Sequence, residues 1–181
     1  QHDLSLKHQE WLIKKFKNVE AHTLSLDKLF ESFENSMKKF ENDHGMANSR
    51  ARLRMTTLYQ VAAANKGIVV GTGNKVEDFG VGFYTKYGDG GVDISPIADC
   101  NKSEVWEMGK ELNILKEIID AAPTDGLWDD GRTDEGQLGL QYSELEEAMN
   151  NINSLNREKY EKIRKLNLHK MEPIPVCKIP N

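Results

Sequence analysis

Four short stretches of this chain carry residue types suited to holding anions. Arg50, Arg52 and Arg54 are spaced by two. On a helix that spacing fans the three guanidinium groups over roughly 200°, so at least one is free to turn inward and pair bidentately with a phosphate or carboxylate. Gly71-Thr72-Gly73-Asn74-Lys75-Val76-Glu77 offers a nucleotide a hydroxyl and bare backbone, and its carboxylate suits a hard Mg²⁺ beside phosphates. Thr85-Lys86-Tyr87-Gly88-Asp89-Gly90-Gly91-Val92-Asp93 sets three glycines around two aspartates where a plain turn needs one. Lys86 supplies a point charge for an anion, and Asp89 and Asp93 accept ribose hydroxyls or amide protons. Lys102 follows Asn101 and precedes Glu104, a capping-box spacing that opens a helix whose free N–H groups suit phosphate. Each stretch taken singly also reads as a solvated turn or helix end. Taken together they describe a phosphate-rich ligand with a metal.

Other chemistries find no support. Val76 stands where a dinucleotide fingerprint has its third glycine, and no Lys-Ser/Thr ending makes a phosphate loop of the same region. Asp130 to Glu135 departs from a calcium loop, because Gly136 falls one place late and Arg132 takes a ligand position. The histidines form no HExxH pattern and no GxSxG elbow is present. Cys100 and Cys177 have no metal spacing and read as reduced thiols of a cytoplasmic protein. A net charge of −5 without an aromatic–basic stripe disfavours nucleic acid. No apolar run approaches the ~18–20 residues of a membrane helix, and no signal peptide opens the chain.

The elements that must position these residues follow from periodicity. The 181 residues, 38% of them hydrophobic, suit one domain over 1–181. A helix is expected from the start, through Leu4, Trp11 and Phe16, then a short strand over Val19–Leu24. A second helix spans Asp27–Phe40, Asn42-Asp43-His44-Gly45 breaks it, and a third runs Ser49–Asn65. Ile68-Val69-Val70 has the apolar, β-branched character of a buried parallel strand. Gly80–Gly91 reads as a loop, Val92–Ile97 as an edge strand and Asn101–Leu112 as a helix. Pro123–Gly139 suits a mobile surface loop; Ser143 with Glu146 caps a further helix; the last helix spans Ser154–Leu166, with a proline-extended tail. This order is α/β: a Rossmann-like parallel sheet with helices on both faces and its N-terminal strands missing, with ligands bound beyond the strand ends.

At these residues the sequence resembles the ammonia-dependent NAD synthetases of the adenine-nucleotide α-hydrolase superfamily. The matching strings are Ala51–Met55, Gly71–Glu77, Phe83–Asp93 with its specific Thr-Lys-Tyr-Gly-Asp-Gly-Gly run, Ala122-Pro123-Thr124 and His169-Lys170. The resemblance implies amidation of nicotinic acid adenine dinucleotide (deamido-NAD). Its carboxylate attacks the α-phosphate of ATP, and ammonia then displaces AMP. Carried over by position, Thr72, Lys102 and Thr124 would contact ATP, and Glu77 would ligate Mg²⁺. Arg52, Lys86, Asp89, Asp93, His169 and Lys170 would hold the dinucleotide, the last two from the C-terminal segment. A homodimer is implied, with free ammonia as nitrogen source.

The chain departs from the family in two ways. Glu77 and Lys86 are nine apart, one more than the usual spacing. The Ser-Gly-Gly-x-Asp-Ser pyrophosphate loop that follows the family's first strand is absent. That loop supplies a nest for pyrophosphate and a second metal carboxylate, so the chain as written is expected not to bind ATP productively and to leave apolar helix faces uncovered. Two other readings remain: a non-catalytic nucleotide-binding remnant, and another adenylating enzyme of the ATP pyrophosphatase type.

Overall fold

The computed structural model describes residues 2–128 and 130–179. Its helices are α1 (His2–Lys15), α2 (Asp27–Met37, continued by a 3-10 turn over Lys38–Phe40), α3 (Asp43–Ala64), α4 (Lys102–Glu111), α5 (Lys116–Ile119), α6 (Asp134–Leu138), α7 (Tyr142–Asn150) and α8 (Arg157–Met171), with a π-helix at Lys75–Val81 between α3 and α4. Asn42 does not separate two helices by a loop. Its side chain accepts the Gly45 N–H at 2.8 Å and caps α3, which therefore starts six residues before the expected Ser49.

Among the described residues the expected sheet is reduced to one parallel bridge, Val70 to Ile94, held by Gly71 N–H to the Ile94 carbonyl at 2.7 Å and Asp93 N–H to the Val69 carbonyl at 2.9 Å. Val69 is buried, whereas its neighbours Ile68 and Val70 are 59% and 53% exposed. A β-branched run covered on one side pairs briefly and goes no further. Val19–Leu24, expected as a strand, forms none.

The core lies in the C-terminal half. Val76 and Val81 of the π-helix pack with Leu138, Leu140, Tyr142, Leu145, Ala148 and Tyr160. Tyr142, Leu145 and Ala148 recur every three residues and put one face of α7 wholly into this core. The wide π turn leaves carbonyls without helical partners, and α8 supplies donors to them. Arg164 Nη1 bonds the Gly80 carbonyl at 2.8 Å and Asn167 Nδ2 the Val81 carbonyl at 3.0 Å. α8 thus runs past the expected Leu166 to Met171, which makes His169 and Lys170 part of its last turn.

The N-terminal helix is differently held. α1 buries no residue. It meets the rest through the exposed Lys7–Glu117 pair at 3.1 Å and through Lys15 Nζ on the Leu112 carbonyl at 2.8 Å. Such exposed contacts contribute little, roughly 0–1 kcal/mol each. Apolar residues remain uncovered here and along α2 and α3, with Phe16, Leu29 and Leu58 all substantially exposed.

Asn74 fixes where the π-helix begins. It is 1% exposed, and its Oδ1 accepts the N–H groups of Val76 and Glu77 at 3.0 and 3.1 Å. Asn74→Ala strands two donors beside the core and is expected to lower the stability by about 1–3 kcal/mol, read as a shifted urea midpoint with an unchanged m-value.

Candidate functional site

The Asn74 cap sends Val76 inward and turns Glu77 toward the start of α4. There Glu77 Oε1 accepts Lys102 Nζ at 2.9 Å, with both side chains about five-sixths buried (16% and 17% exposed). The same oxygen accepts the Tyr142 hydroxyl at 2.5 Å. Tyr142 Oη also lies 3.3 Å from Asp134 Oδ2, while Asp134 Oδ1 is buried without a partner. Burial, then Glu77, pushes the Asp134 carboxyl up to about 6.

The start of α4 differs from the sequence expectation. Asn101 and Glu104 do form the expected cap, with the Asn101 N–H donating to Glu104 Oε2 at 2.7 Å. The first-turn N–H of Ser103, however, donates to Glu146 Oε1 at 2.9 Å, and the Ser103 hydroxyl to Glu146 Oε2 at 2.7 Å. An internal carboxylate thus occupies the anion seat of the helix dipole, and Lys102 faces Glu77 instead. Glu146 is no cap for its own helix. α7 begins at Tyr142, where the Gln141 N–H donates to Glu144 Oε2 at 2.7 Å.

A second set of residues gathers around the end of α8. Arg52 donates to the Lys86 carbonyl at 3.3 and 3.4 Å, and Lys86 Nζ reaches the His169 carbonyl at 2.6 Å. Lys170 Nζ bonds the carbonyls of Gly82 and Tyr84, each at 2.8 Å. Burial draws the Lys170 pKa down, and the nearby Asp89 partly restores it. Arg50 and Arg54 fan away from Arg52 as their spacing predicts, and bond the carbonyls of Leu127 and Gly126 at 3.0 and 3.1 Å. They fasten part of the Pro123–Gly139 segment to α3.

The glycines of the Lys86–Asp93 loop serve close approach. A Cβ on Gly88 would lie 2.9 Å from that of Ala51 on α3, and one on Gly90 would lie 2.4 Å from the Tyr84 ring. Tyr87 itself takes the left-handed conformation at φ 63°. Inside the loop Asp89 accepts the Thr85 N–H at 2.9 Å. Asp93 faces away from the basic set, holding the Val69 N–H at 2.7 Å and the Tyr59 hydroxyl at 3.1 Å.

Two cavities lie beside the Lys86–Asp93 loop. One of about 110 Å³ is lined by Tyr84, Asp89, Trp128, Gln137 and Lys170. The other, about 320 Å³ and mostly apolar, is lined by Gly71, Thr72, Met55, Val92, Asp89 and Asp125. Asp89 and Asp125 border both. Thr124 is half-buried beside Asp125. Of the residues named from the sequence, the structure brings Glu77 and Lys102 into contact, and places Arg52, Lys86 and Lys170 with the His169 carbonyl around the end of α8. Sequence reasoning missed Tyr142, Asp134 and Asp78. Only Asp78 had a local signal, its place beside Glu77.

Among the described residues no group of three or more His, Cys, Asp or Glu side chains is arranged to hold a metal ion. The oxygens of Glu77, with the unpartnered buried Asp134 Oδ1 close by, fit a hard cation that takes one or two protein carboxylates and completes its shell with phosphates and water. Cys100 and Cys177 are unbonded thiols. Among the described residues no helix is long and apolar enough to cross a membrane.

Known proteins share this fold. The structure of NMN synthetase from Francisella tularensis superposes over 100% of this chain and 74% of its own, with a TM-score of 0.85 and 34% identity. An NH3-dependent NAD synthetase from Campylobacter jejuni, at 23% identity and a TM-score of 0.66 over 89% of this chain and 67% of its own, shares the fold. The fold class is that of these synthetases. The NAD synthase family model matches residues 1–179, and the chain belongs to that family. The NH(3)-dependent NAD(+) synthetase of Carboxydothermus hydrogenoformans is 40% identical over 139 residues, 75% of this chain and 56% of the relative. The chain spans 40% to 64% of the length of the first three such curated relatives.

Asp78 gives the site a measurable pH signature. Burial, reinforced by Glu77 and Asp89, pushes its carboxyl up to about 7. A Cβ on Gly73 would sit 1.9 Å from Asp78 Oδ2, so only glycine admits the carboxylate there. The unfolded chain releases this proton near pH ~4 and the folded one near 7, so ionisation costs stability as pH rises between those values. Asp78→Asn is expected to melt close to wild type at pH 4 and above it at pH 8. The gap should be roughly 1–2 kcal/mol, less than the full shift because water still reaches the group. Melting curves across that range check it.

Proposed function

We propose that the whole protein amidates deamido-NAD with ammonia at the expense of ATP. The carboxylate oxygen of the acid attacks the α-phosphorus and pyrophosphate leaves. Ammonia then adds to the activated carbonyl, loses a proton and expels AMP, giving NAD. A carboxylate is a poor acyl donor until its oxygen becomes part of a good leaving group, so the protein's work is positioning and charge neutralisation.

The observation that carries this reading is the gathering of Arg52, Lys86, His169 and Lys170 from distant parts of a chain in the NAD synthase family. In the resting arrangement Arg52, Lys86 and Lys170 are bonded to main-chain carbonyls, that of His169 among them. A ligand's phosphates and ribose would replace those neutral acceptors with stronger, charge-assisted ones. Thr72, Lys102 and Thr124 serve the ATP phosphates, Glu77 holds Mg²⁺, and Asp89 and Asp93 shape the dinucleotide loop. Mg²⁺ supplies phosphate charge neutralisation when bound. Residues 1–181 act as one α/β domain in which the Val70–Ile94 pair belongs to a Rossmann-like parallel sheet. The protein works as a cytoplasmic homodimer and takes free ammonia.

A second reading concerns the acid. The Francisella protein that superposes on all of this chain is an NMN synthetase, which supports the same amidation on nicotinic acid mononucleotide. An assay of the whole protein with ATP, Mg²⁺, ammonium and each acid in turn separates the two. The dinucleotide acid is expected to turn over with the higher kcat/KM. Lys86→Ala should raise its KM about tenfold, the loss of one charged contact worth ~1.4 kcal/mol, and leave the KM for ATP within about twofold. A preference for the mononucleotide would transfer the function to the second reading. Turnover of neither acid would sink both.

A further inference from the structure

Tyr142 stands between the charges of the metal and phosphate half of the site, and nothing in its sequence position advertises this. Its ring is 1% exposed and packs edge-on against Trp106, with centroids 5.8 Å apart and planes at 80°. Its own N–H is held by Glu135 Oε1 at 2.9 Å. Side chain and backbone are therefore both fixed, and the hydroxyl has one place to be. From there it donates to Glu77 Oε1 at 2.5 Å, while Lys102 Nζ lies 4.9 Å from the centre of the same ring and 2.9 Å from the same Glu77 oxygen. Asp134 Oδ2, 3.3 Å away, flanks the hydroxyl on the other side.

Each contact restrains a different freedom. A lysine on a long stem and a glutamate with three rotatable bonds can pair in many geometries when exposed. Here the hydroxyl bond fixes one oxygen of Glu77, and the ring face fixes the approach of the ammonium. Remove the hydroxyl and Lys102 alone still neutralises Glu77, but nothing rigid sets where the pair sits.

We infer that Tyr142 is the positioning residue of the ATP side. Its hydroxyl sets the Glu77 carboxylate, and its ring sets the Lys102 ammonium, at the spacing that the metal–phosphate group requires. This rests on the amidation reading above for its kinetic consequence and on geometry alone for the bond itself. The dinucleotide residues Arg52, Lys86 and Lys170 make their bonds elsewhere, so they are insulated from the change.

The test uses Tyr142→Phe, which keeps the ring, together with Glu77→Gln. In proton NMR of the wild-type protein the Tyr142 hydroxyl should give a slowly exchanging, strongly downfield signal. Tyr142→Phe should abolish that signal and Glu77→Gln should move it. In steady-state assays of the whole protein, Tyr142→Phe should raise the KM for ATP and the Mg²⁺ concentration for half-maximal rate about tenfold. The KM for the acid should stay within about twofold. A merely structural tyrosine would lower the melting temperature and leave that split absent. No downfield signal in the wild type, or one that Glu77→Gln leaves in place, overturns the inference whatever the enzyme does. Unchanged ATP and Mg²⁺ parameters in Tyr142→Phe overturn it as well. A wild type that amidates neither acid sinks the functional reading, and the hydroxyl signal then decides whether Tyr142 sets Glu77.

Discussion

The arrangement hangs on a buried amide. Asn74 gives its side-chain oxygen to the first two free N–H groups of the π-helix while the Lys75 N–H donates to the Cys100 carbonyl at 2.8 Å. Those bonds hold the segment after the Val70–Ile94 bridge in register with the segment before α4. Because the turn is wound wide, successive side chains do not follow the usual helical face. Val76 and Val81 both reach the core, and Glu77 between them reaches Lys102. The seven residues of the π-helix contribute to both the core and the charged site, so the site inherits the rigidity of α7 and α8.

Electrostatics divides the site into two halves of opposite design. Around Glu77 the carboxylates outnumber the cations. Asp78 and Asp134 sit with raised pKa values beside a single buried lysine. Such a centre is short of positive charge, the condition under which a divalent cation binds favourably. Around the end of α8 the balance is reversed. Arg52, Lys86 and Lys170 are bonded to main-chain carbonyls, which satisfy their protons without cancelling their charge. That half is short of negative charge. Asp89 borders both cavities and adds its charge to burial and Glu77 in raising the Asp78 pKa.

Local chemistry was legible in the sequence where a short segment decides the outcome. The capping box at Asn101 and Glu104, the divergence of Arg50, Arg52 and Arg54 on α3, and the failed calcium loop, where Asp130 pairs with Arg132 at 2.9 Å, follow from residue type and spacing. The loop glycines were recognised as too many for a turn, and the reason lies in Ala51 and Tyr84, which only packing brings against Gly88 and Gly90. The helices at Asp43 and Tyr142 start before the expected Ser49 and Ser143, because Asn42 caps α3 with its own side-chain oxygen and the Gln141 N–H donates to Glu144.

By itself the sequence determined which groups were available: the cations, the carboxylates, the glycine-rich loop and the family to which they belong. Those are properties of short strings, fixed by covalent identity and by bonds between near neighbours. Tertiary structure decided which of them meet. Glu146 took the helix start meant for a phosphate, Lys102 turned to Glu77, and Tyr142, sixty-five positions further along the chain from Glu77, closed the pair. Such meetings depend on how buried apolar faces dock α4, α7 and α8 on one another, a balance of packing and desolvation summed over the whole molecule.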